Sequence, residues 1–157
     1  MTIAHGKEIR GRGHGRSLRY DLTGVPPGPG VVAACREATR RALNSWFGPA
    51  DAPDTRAVAD ALLLVSEVVT NAHTHGGVPS ELRLDGTDRA LWVQVSDTDP
   101  HRPRPHGPHR AYRSSGHGLY LLQRLAARWG TVPRGPDGKT VWFQVDLFPE
   151  ASGPGGS

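Results

Sequence analysis

Cysteine is almost missing from this chain. Cys35 is the only one among 157 residues, so no intrachain disulfide can form and nothing points to an oxidising compartment. Long apolar runs are missing too, as is the basic, apolar and small-residue order of a secretory leader at Met1. No membrane association is therefore expected, and a soluble, cytoplasmic protein is. The eight histidines come without a cysteine cluster or the spacings of a zinc site, which argues against a structural metal. No internal repeat is present, and no helix-turn-helix pair or aromatic-basic platform that would suit direct nucleic-acid binding is evident.

What is present fits one domain, since a chain of this length buries a working core. The net charge is +4, and the excess sits mainly in the first twenty residues and from His101 to Arg113. Such a balance suits polyanions, a nucleotide polyphosphate among them. Residues 1–16 are Gly, Arg and His with almost no apolar side chain, so they read as a disordered basic tail, and 150–157 read the same way. The domain is expected over 17–149.

Within it, Ser17 to Thr23 alternates like a strand and stops at the Gly/Pro run 24–30. Val31 to Trp46 carries apolar residues at helical spacing (Val31, Cys35, Ala38, Leu43, Trp46). Asp54 suits the N-cap of a second helix reaching about His75, with Gly76-Gly77 as its stop. Strands are expected at Glu81–Asp85, Leu91–Asp97 and Thr140–Phe148, and a third helix at Leu119–Trp129. This order predicts an α/β fold: a two-layer sandwich with a mostly antiparallel sheet covered by helices on one face. Residues 98–114 hold four prolines and seven His or Arg side chains, a length and composition that suit a functional lid.

Three segments carry chemistry. On the second helix, Val58, Leu62, Val65, Val69 and Ala72 form one stripe. Glu67 lies about 180° from it at roughly 100° per residue, with Asn71 nearby. A solvated polar face is the plain alternative, but Ala57, Ala61, Leu63, Leu64 and Val68 flank that strip and narrow it. An Asn carbonyl is a suitable hard oxygen ligand for magnesium, and a Glu one turn away can accept a proton. Along the strand, the period of two puts Asp97 on the inward face with Leu91, Val93 and Val95. A buried carboxylate there requires a donor, and an adenine amine is one of the right kind. Capping of a turn with Thr98-Asp99-Pro100 is the simpler local alternative. Finally, Gly116-His117-Gly118 opens the pattern Leu119, Leu122, Leu125, Ala126, Trp129, and glycines before a helix let backbone N–H groups approach phosphate. By themselves such glycine pairs are often only turns.

In this order and spacing, Glu67-x-x-x-Asn71-Ala72-x-x-His75-Gly76, Asp97 and Gly116-x-Gly118-Leu119 resemble the nucleotide-binding boxes of the GHKL superfamily. They look most like the small anti-sigma-factor serine kinases and related ATP-binding regulators of actinobacteria. The resemblance spans about Ala33 to Val145. It implies the Bergerat α/β sandwich, ATP and Mg as cofactors, and 98–114 as the ATP lid. It also implies Glu67 as the catalytic, activating carboxylate, Asn71 as the magnesium ligand and Asp97 as the adenine-recognising group. The nucleotide contacts it implies are Asn71, His75, Gly76, Asp97, Gly116, His117, Gly118, Leu119 and Thr140, the last helping to close the adenine pocket. One departure is visible: Thr98-Asp99-Pro100 stands where fully boxed members have glycines.

The function this implies is that of an ATP-binding anti-sigma factor with serine kinase activity. Its partners would be a sigma factor and an anti-anti-sigma protein of STAS type; a homodimer is also compatible, through an exposed sheet face. The alternative is a non-catalytic nucleotide-binding module that controls a partner by contact alone. No phosphoacceptor helix pair is present, so a complete two-component sensor is not expected.

Overall fold

The computed structural model describes residues 6–10, 16–26, 28–74, 77–98 and 117–149. Among the described residues, three α-helices and six strands follow one another in the order β1 (Gly6–Arg10), β2 (Arg16–Asp21), α1 (Pro29–Trp46), α2 (Thr55–Thr74), β3 (Pro79–Gly86), β4 (Ala90–Asp97), α3 (His117–Leu125), β5 (Arg128–Pro133) and β6 (Lys139–Asp146). The strands form one sheet in the order β1-β2-β3-β4-β6-β5, and every neighbouring pair is antiparallel. The α/β sandwich expected from the sequence is therefore the fold.

Register explains how the sheet holds its core. Leu18 pairs with Leu84, Leu84 with Val93, Val93 with Phe143 and Phe143 with Trp129. A second row runs Tyr20, Leu82, Val95, Val141, Thr131. With a side-chain period of two, both rows share one face, and Leu82, Leu84, Val93, Val95 and Phe143 are fully buried there. The helices supply the opposing layer, with α2 in contact with α1, α3, β3, β4 and β6. That central position accounts for its sequence: Ala57, Ala61, Leu64 and Val68 are buried as well as Leu62, Val65, Val69 and Ala72. Glu67 and Asn71 lie on the face left open, which also carries the exposed Arg56, Ala59, Leu63 and Thr74. Leu63, expected to narrow this face, is itself exposed, so the open face is broader than its apolar flanks suggest.

The helix starts follow local rules. Asp54 Oδ1 accepts a hydrogen bond from the Ala57 N–H at 3.0 Å, as an N-cap should. In α1, Pro29 stands in the first turn, where no donor is required. Val31, Cys35, Ala38, Leu43 and Trp46 all face the core.

Two strands differ from the expectation. Residues 6–10, read as part of a basic tail, form the edge strand β1 against β2. Edge pairing draws on backbone groups and does not require an apolar face, which is the signal that the composition lacked. The expected third helix is also shorter: it ends at Leu125, and Trp129 belongs to β5. Ala127 already donates to the Gln144 carbonyl at 2.8 Å, so cross-strand bonding replaces the next helical turn. The expected lid lies outside the described residues beyond Thr98, as do His75, Gly76 and Gly116.

Candidate functional site

Strand register gathers Pro79, Asp97 and Lys139 at one end of the sheet. Pro79, the first residue of β3, pairs with Asp97, the last of β4, and Asp97 pairs with Lys139, the first of β6. Thr74 closes α2 only five positions before Pro79, which bounds their separation to about 18 Å for extended chain. Val78 and Thr98 tie this corner together: the Val78 N–H donates to Thr98 Oγ1 at 2.9 Å, and the Thr98 N–H donates to the Val78 carbonyl at 3.1 Å. The last turns of α2, with Glu67 and Asn71, thus lead directly to the strand ends that hold Asp97. His117, Gly118 and Leu119 form the start of α3, a helix that packs on α2.

Asp97 is buried, as its position in the period predicts, and its donor is Lys139. The Lys139 ammonium lies 3.2 Å from Oδ1 and 3.1 Å from Oδ2. The two side chains are 1% and 7% exposed, so this is an interior ion pair. In such a place a lone charge would cost several kcal/mol, on the order of that for any unpaired buried ion. Lys139 was not singled out from the sequence; the signal lay in the antiparallel register, which sets it opposite Asp97 on the inward face.

Thr140 occupies the neighbouring position and so points to the other face of the sheet. Its Oγ1 lies 2.8 Å from Ser96 Oγ, its cross-strand partner, in a buried hydroxyl pair. The structure therefore brings Lys139, and not Thr140, to the carboxylate of Asp97. Gly138 completes the corner with φ of 127°, a value that side chains rarely adopt.

Glu67 and Asn71 are half-buried on the strip of α2 that the sheet does not cover. They are one turn apart, so their side chains share a face. Among the described residues no hydrogen bond or ion pair takes up either side chain. One neutral oxygen donor beside one carboxylate fits the sparse protein ligation of magnesium, which keeps waters and takes its remaining ligands from phosphate. Among the described residues no cluster of three His, Cys, Asp or Glu could hold a metal by itself, so a cation here would depend on its nucleotide. Trp92 and Trp142 stack on the outer face with centroids 5.5 Å apart, away from this corner.

No curated protein matches the chain. Eight solved chains do, among them the histidine kinase domain of a blue-light activated histidine kinase from Erythrobacter litoralis EL346. That match has 28% identity, a TM-score of 0.43 and coverage of 58% of this chain. The present chain spans 45% of that chain's length. No described helix is long and apolar enough to cross a membrane. The model of the histidine kinase-like ATPase domain matches residues 29–145, from the start of α1 through nearly all of β6, and the chain belongs to that family of ATP-binding, GHKL-type domains.

Proposed function

We propose that this protein is an ATP-dependent regulator that transfers the γ-phosphate to a serine of a STAS-type anti-anti-sigma partner and holds a sigma factor in its other state. The supporting observation is the pair Glu67 and Asn71, one turn apart on the open strip of a histidine kinase-like ATPase domain, at the end of α2 that leads to Asp97. In this reading the Asn71 carbonyl holds Mg, which offsets the charge of the phosphates. Glu67 accepts or orients the proton of the attacking serine hydroxyl. Asp97 faces the base, and backbone N–H groups at the start of α3 face the phosphates.

The test is transfer from labelled Mg-ATP to the candidate partner. Wild type should yield phosphoserine, and Glu67→Gln should reduce transfer by about a hundredfold with nucleotide affinity little changed. Asn71→Ala should instead weaken Mg-ATP binding in calorimetry. Bound ATP with no phosphoprotein from any cognate partner would remove the kinase half. A second reading, a non-catalytic module, would then stand, and one observation favours it: Asp97 already has a buried partner in Lys139. Under that reading Glu67→Gln leaves partner control untouched.

A further inference from the structure

A carboxylate that recognises an adenine amine works by offering acceptor oxygens and nothing else. At this corner Asp97 is not alone. A single ammonium stands 3.1–3.2 Å from both of its oxygens, and the strand register fixes the backbone of Lys139 directly across from it. Gly138, packed against the Asp97 carbonyl, pins the chain just before Lys139. The base edge would therefore meet an acceptor and a cation side by side.

We propose that Lys139 is a specificity-determining residue of the nucleotide pocket, and that it widens the pocket's selection from 6-aminopurine to 6-oxopurine nucleotides. The inference rests on the nucleotide-binding reading given above. A bare buried carboxylate accepts from the 6-amino group and repels a 6-oxo oxygen, because two acceptors then face each other without a proton. Sites built in that way reject the wrong partner strongly, since a buried group is left unpaired. The ammonium changes both terms. It competes with the adenine amine for the carboxylate oxygens, and it attracts the oxygen of a 6-oxo base whose N1–H the carboxylate can accept. Specificity is a difference of affinities, so weakening one ligand and relieving the other narrows it.

Inosine triphosphate is the probe, because it differs from ATP only at this edge and its phosphates cancel in the comparison. Calorimetric titration of both nucleotides with Mg into the full chain should give dissociation constants within about tenfold of each other. In Lys139→Met the ratio should shift by a further tenfold or more toward ATP. Should that variant fail to fold once the ammonium is gone, Lys139→Gln keeps a donor to the carboxylate without the charge, and should shift the ratio in the same direction. Preference of wild type for ATP above about a hundredfold overturns the proposal, and so does an unchanged ratio in a folded variant. If neither nucleotide binds the folded wild type or its variants, the nucleotide-pocket reading itself falls and this inference with it. Tight ATP binding with strong discrimination overturns this inference alone.

Discussion

Gly138 approaches Asp97 so closely that a Cβ on the glycine would stand 1.8 Å from the Asp97 carbonyl oxygen. Backbone thus packs against backbone at the corner where β4 and β6 meet. The glycine also has φ of 127°, which adds a conformational requirement to the steric one. Gly138→Ala is expected to cost about 3 kcal/mol or more, from positive-φ strain together with displacement of the β4 end. Urea denaturation checks this. A loss below about 1 kcal/mol would mean that the corner relaxes without effort.

The hydroxyl pair of Ser96 and Thr140 permits a sharper measurement. Removing one partner leaves the other buried without its bond, so Thr140→Val should cost about 1–2 kcal/mol. Replacing both, as Ser96→Ala with Thr140→Val, should cost less than the two single changes added together. A double-mutant cycle gives the coupling, and additive losses would show that the 2.8 Å contact contributes nothing.

The cap of α2 is a separate case, because it lies at the far end of that helix from Glu67 and Asn71. Asp54→Ala removes the acceptor of the Ala57 N–H and should lower stability by about 1 kcal/mol. Nucleotide affinity should not move. Thermal melts and calorimetry on the same preparation separate the two effects, and a parallel loss of binding would tie the cap to the site.

These residues also mark where the sequence could be read and where it could not. Asp54, the stripes of α1 and α2 and the inward position of Asp97 follow from local spacing, and all were legible. Strand β5 was not, because Trp129 continues the three-and-four spacing of Leu122, Leu125 and Ala126, and helical periodicity hides a strand that begins within it. Strand β1 has backbone partners but little apolar signal. Lys139 was hidden for a different reason: its role depends on which residue of β6 faces Asp97 across the sheet. That is a matter of register, which local pattern does not fix, and one position decides between Lys139 and Thr140.

Cys35 supplies a pH-dependent prediction. It is wholly buried on α1, and desolvation pushes its thiol from 9.0 up to about 12. The unfolded chain releases this proton near 9.0 while the folded chain keeps it to about 12, so over that interval the folded state binds more protons. Stability from this group is therefore complete below the lower value and falls as pH rises through the interval, by up to about 1.4 kcal/mol per pH unit. Cys35→Ala should flatten that part of the urea-derived stability curve, even though the smaller side chain lowers the whole curve through the cavity it leaves. The native thiol should meanwhile react with a chromogenic disulfide reagent only as fast as the protein opens, so its labelling rate should follow denaturant. Rapid labelling at neutral pH without denaturant would show that the core around α1 opens locally, and the alkaline slope attributed to Cys35 would then have to be smaller than stated.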